Sequence, residues 1–115
     1  MKKLNKKEQE RFNRCLDVLV EESKLSYLDV YECLEKLVVI NASLNRLNEI
    51  ACSYQLTDRQ EKRAENLENQ AIEIIKHLGF EGATQNDPRG NAVMIYLPSG
   101  KFNSWDGETF RINVY

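Results

Sequence analysis

Histidine is almost missing from this chain, with His77 alone among 115 residues, and the three cysteines, Cys15, Cys33 and Cys52, stand far apart with no C-x-x-C pair. Zinc sites are built from clustered thiolates and imidazoles, so none is expected from one copy of the chain, and no other metal or cofactor is expected either. Glycine and proline are missing from the first two thirds: all five glycines and both prolines lie from Gly79 onward. The chain before Gly79 is free to run in uninterrupted helices, and the chain after it must turn repeatedly. No apolar run approaches the roughly 18 residues of a membrane-spanning helix, and no signal peptide opens the chain. Together with the odd cysteine count, these absences predict buried thiols, a reducing cytoplasmic setting and no membrane partner.

A surplus of cations is also lacking, since 16 Lys and Arg face 18 Asp and Glu for a net charge of −2. General DNA or RNA binding depends on cations that displace counterions, so neither nucleic acid is an expected partner, whereas a small local anion site remains compatible. Four lysines fall within Met1 to Lys7, and this end reads as frayed and solvated. Enzymatic signatures are absent too: no phosphate-cradling glycine loop, no G-x-S-x-G elbow and no histidine cluster. Carboxylate pairs such as Glu65 and Glu68 fit the solvated face of a helix, so no catalysis is expected.

What is present is periodicity. Phe12, Cys15, Leu16, Leu19 and Val20 recur at spacings of three and four, predicting a helix from Asn5 to about Ser23. Ser26 and Asp29 have the spacing of a capping box. After them Val30, Leu37, Leu44 and Ala51 hold one heptad position, and Cys33, Ile40, Leu47 and Tyr54 the other. The pattern predicts a second helix over about Tyr27 to Tyr54 with a narrow apolar seam, flanked by Asn41 and Asn48 as register or edge residues. Thr57 and Gln60 form another capping box, and Ala64, Leu67, Ala71, Ile74 and Leu78 carry a third helix to Gly79, a natural left-handed stop on which Phe80 can fold back toward Ile75. The short link between the second and third helices makes them an antiparallel hairpin. His77, in the last turn, suits the negative end of the helix dipole.

Beyond Gly79, Asn91 to Leu97 reads as a strand apolar on both faces. Lys101 to Asn103 reads as a short return strand, and Thr109 to Tyr115 alternates Phe110, Ile112 and Val114 against polar residues. The expected fold class is α+β: one domain over 1–115, with a long antiparallel helical hairpin and an extra N-terminal helix in 1–79 and a small antiparallel β-meander in 80–115. At this size the buried surface gives modest stability, which favours a homo-oligomer.

The β part is rich in groups that recognise flat or anionic ligands. Arg89, in the turn Asn86-Asp87-Pro88-Arg89-Gly90, offers a guanidinium fork suited to phosphate. Trp105 can stack on a planar base or close one end of the core, and Asn103 can bond a base edge with both donor and acceptor. Arg111 lies among the polar positions of the last strand. Arg59 and Arg63 lie in the first turns of the third helix, near N–H groups that favour anions; pairing with the many glutamates is the alternative for each arginine.

Leu56-Thr57-Asp58-Arg59-Gln60-Glu61-Lys62-Arg63, the D-P-R-G turn, Leu97-Pro98-Ser99-Gly100 and Asn103-Ser104-Trp105-Asp106-Gly107 together resemble small phage proteins of the Thoeris anti-defence sponge type. The resemblance spans about Leu44 to Tyr115. It implies non-catalytic sequestration of a cyclic ADP-ribose immune signal in the host bacterial cytoplasm, by a dimer or larger symmetric homo-oligomer. On the matched positions it implies Arg59 and Arg89 at the phosphates, Asn103 on a base or ribose edge, and Trp105 or Tyr96 as a stacking wall, with Asn91 and Arg111 completing the ligand-binding set. Asn91 stands where the family carries a bulkier, often aromatic residue. The alternative function is a protein-interaction module that inhibits a host defence protein through the helical face.

Overall fold

The computed structural model describes residues 4–84 and 92–97 in full and residues 109–112 as backbone. The elements run α1 (Lys6–Glu22), α2 (Tyr27–Ser53), α3 (Asp58–His77), β1 (Glu81–Thr84), β2 (Val93–Tyr96) and β3 (Thr109–Ile112). This is the α+β arrangement expected, an N-terminal helix and a helical hairpin followed by an antiparallel meander in the order β1-β2-β3.

Each helix begins on a side-chain cap. Asn5 and Thr57 make both halves of a capping box, with Glu8 and Gln60 as the reciprocal partners. Each box satisfies N–H groups that the first helical turn leaves without carbonyl partners. The Asn5 box corrects the expectation of fraying at Lys6 and Lys7, which belong to α1 and are solvated as expected, while residues 1–3 lie outside the described residues. Ser26 makes the forward half, its hydroxyl accepting from the Asp29 N–H at 3.3 Å. α3 ends in a Schellman motif: Phe80 N–H donates to the Ile75 carbonyl and Gly79 N–H to that of Lys76, with Gly79 at φ +90°.

The seam of α2 is broader than a heptad pair. Val30, Leu37, Leu44, Ile40 and Leu47 are buried as expected, but so are Leu34, Val38 and Asn41, whereas Ala51 and Tyr54 are exposed. The cause is position: α2 packs against α1, α3 and β3. One apolar core draws Phe12, Leu16 and Leu19 from α1, Val30 and Leu37 from α2, Ile75 from α3 and Val93 and Ile95 from β2. Tyr31 meets Phe12 edge to face at a centroid distance of 5.5 Å, joining α1 to α2.

β1 is absent from the sequence expectation. Its residues, Glu81-Gly82-Ala83-Thr84, have little strand propensity, and they form a strand because the Schellman turn sends the chain back along α3. Gly82 permits the approach: a Cβ there would lie 2.5 Å from Ile75 Cδ1 and 2.8 Å from the Met94 carbonyl oxygen. In β2, Val93, Met94 and Ile95 are buried and Tyr96 is exposed, so the expectation of cover on both faces holds up to Met94. β3 falls within the expected Thr109–Tyr115 segment, and the register sets Phe110 opposite the buried Ile95 and Ile112 opposite the buried Val93. The expected Lys101–Asn103 strand lies outside the described residues.

Candidate functional site

The seven sequence candidates divide into three groups. Arg89, Asn91, Asn103 and Trp105 lie outside the described residues. Tyr96 and Arg111 belong to the sheet, where Tyr96 pairs with Thr109 and Arg111 with Met94. They therefore occupy diagonal positions across β2 and β3, neighbours within reach of long and aromatic side chains. Arg59 stands apart, exposed in the first turn of α3. Gly82 and its partner Ile95 lie against Ile75, near the other end of α3. Ile75 is 16 residues beyond Arg59, so the helical rise separates Arg59 from the sheet candidates by about 24 Å. One protomer does not bring Arg59 into a common pocket with Tyr96.

Topology adds a second constraint. In an antiparallel meander the two connections leave from opposite ends of the middle strand. The first departs at the Thr84–Val93 end and the second at the Tyr96–Thr109 end. The Cα atoms of Val93 and Tyr96 are about 10 Å apart at the ordinary strand rise.

Comparison of the chain with family models, with curated proteins and with solved structures finds no match.

Arg59 instead lines an open cleft of about 470 Å³ on α3, together with Lys62, Arg63, Asn66, Leu67 and Gln70. Three guanidinium or ammonium groups and the amides provide donors for an anion. The acidic residues Asp58 and Glu61 share the same first turn, and the Thr57 cap engages the Gln60 N–H. A second cleft, of about 510 Å³, opens between the start of α2 and the end of α3. Asp29, Glu32 and Lys36 line it from α2 and Gln70, Glu73 and His77 from α3. His77 is exposed in the last turn, the position expected for a dipole-complementing side chain. Among the described residues no group of His, Cys, Asp or Glu has the arrangement of a metal site, and no helix is long and apolar enough to cross a membrane.

Burial pushes the Cys15 thiol up to about 12, against the opposing pull of Arg11 and Arg14. Cys33, partly buried beside the second cleft, is also raised, mainly by burial. Cys52 is exposed in the last turn of α2. The expectation of buried thiols thus holds for Cys15, in part for Cys33, and not for Cys52.

Asn41 is the polar residue whose role the sequence concealed. It is fully buried, and its Oδ1 accepts hydrogen bonds from the Ala92 and Val93 N–H groups, each at 3.0 Å. Its place beside a heptad seam signals a specificity residue, but nothing local in the sequence shows that the partner is the start of a strand.

Proposed function

We propose that the chain binds a cyclic nucleotide of the cyclic ADP-ribose type and holds it without transforming it, acting as a sponge in the bacterial cytoplasm. The observation that carries this reading is the diagonal placement of Tyr96 and Arg111 across β2 and β3, which pairs an exposed aromatic residue with an arginine position on one small sheet. An aromatic wall suits a base, and a guanidinium suits the pyrophosphate. Arg89 and Asn91 in the first connection, and Asn103 and Trp105 in the second, supply further recognition groups of the same chemistry. Arg59, distant within the protomer, joins such a site only by contribution from another copy.

Calorimetry with a panel of cyclic ADP-ribose isomers and cyclic oligonucleotides tests the reading. At least one member should bind and be recovered chemically unchanged. Tyr96→Ala or Arg111→Ala should weaken that binding by about tenfold or more, the scale of one lost stacking or charge-assisted contact, with helical content retained. A flat response to the whole panel, or recovery of a cleaved product, overturns it.

A further inference from the structure

The two clefts share Gln70 and form one groove along a single side of the helical hairpin. Arg59, Arg63, Asn66, Gln70, Glu73 and His77 follow one another along α3 at spacings of four and three, a single exposed stripe. On α2 the matching stripe is Asp29, Glu32, Lys36 and Val39, all exposed. Charge is segregated along this groove. Arg59, Lys62 and Arg63 line one end, while Asp29, Glu32 and Glu73 line the other, moderated there by Lys36 and His77. Arg59 and Glu73 are 14 residues apart on one helix, about 21 Å, which is well beyond the screening length of about 8 Å at physiological ionic strength. The two ends therefore do not neutralise each other within one chain. Val39, one heptad beyond Glu32 on α2, is 46% exposed.

We propose that this groove is a self-association surface, occupied by a second copy of the chain in antiparallel orientation. A two-fold axis across the groove sets each basic end on the partner's acidic end. Such an interface is isologous, with the same patch used on both copies. Its occupant follows from charge: the surface carries both halves of its own complement. No sheet residue takes part; Arg59 alone is common to this surface and the ligand reading.

The test is a charge swap followed by sedimentation velocity and light scattering of the full chain. One variant carries Lys62→Glu and Arg63→Glu, the other Glu32→Lys and Glu73→Lys; all four positions are exposed, and circular dichroism verifies that the helices persist. Wild type should dimerise with an affinity that falls as salt rises. Each variant alone should associate about tenfold more weakly or worse, since like charges then face each other at both ends. An equimolar mixture of the two variants should recover the dimer, because each supplies the sign that the other lacks. A wild type that stays monomeric at every concentration, or a dimer indifferent to both reversals, overturns the proposal. Failure of the mixture to recover a dimer that both variants had lost does the same.

Discussion

Asn41 and Val93 are 52 positions apart in the chain, and the side-chain carbonyl of the first accepts the main-chain N–H of the second at 3.0 Å. The same oxygen takes the N–H of Ala92. A buried N–H without a partner costs about 1–3 kcal/mol, so Asn41→Leu, which keeps the bulk and removes the acceptor, should destabilise the chain by about 2–5 kcal/mol. Urea unfolding measures the loss, and the Val93 amide should exchange with solvent faster in the variant. A change under about 1 kcal/mol would mean that water replaces the side chain without penalty.

Gly82→Ala should cost about 1–3 kcal/mol, the usual range for overpacking, because the added methyl meets Ile75 Cδ1 and the Met94 carbonyl. Ile75→Val in the same background removes the Cδ1 contact and leaves those with Cγ2 of residue 75 and the Met94 carbonyl. The double variant should therefore lose less than the sum of the single losses, a coupling that a double-mutant cycle in urea resolves.

Gly79→Ala places a Cβ at φ +90°, where an L-residue is disfavoured by about 1–2 kcal/mol. Thr57→Ala removes an N-cap, at about 1 kcal/mol. The two sites lie at opposite ends of α3 and share no hydrogen-bond partner, so their effects on the urea midpoint should add. Strong non-additivity would show that the two ends of the helix are linked.

The Cys15 thiol titrates near 12 when folded, against an ordinary value near 9. Above pH 9 the unfolded chain releases this proton and the folded chain keeps it, so the folded state holds more protons and stability falls as pH rises. The slope attributable to this group is at most about 1.4 kcal/mol per pH unit. Cys15→Ala should flatten the alkaline decline, which thermal unfolding between pH 8 and pH 11 records. Alkylation by iodoacetamide at neutral pH should modify Cys52 first, Cys33 more slowly and Cys15 only on unfolding.

The helices were legible because their signals are local. Apolar spacing gave α1 and α3, the Thr57–Gln60 pair gave a start, and Gly79 gave a stop that the structure places in a left-handed conformation. β1 was not legible, since Glu81-Gly82-Ala83-Thr84 has no alternating pattern and becomes a strand through tertiary packing on Ile75. The α2 seam was read too narrowly for a related reason: burial of Leu34, Val38 and Asn41 depends on what arrives from other elements. Of the candidate site, the register unites Tyr96 and Arg111, and the length of α3 separates Arg59 from them. Neither relation is written in the residue types. Both follow from where the chain reverses after Gly79.

The Asn41 hydrogen bonds also bear on how far the sheet is a transferable part. The first two amides of its central strand region find their acceptor on α2, and its first strand rests on α3 through a glycine fitted to Ile75. Grafted onto another scaffold, the segment from Phe80 onward would arrive with two backbone donors unmet and a contact surface shaped for a helix no longer there. The helical hairpin and the strands are bound to change together, with Asn41 and Gly82 fitting one to the other.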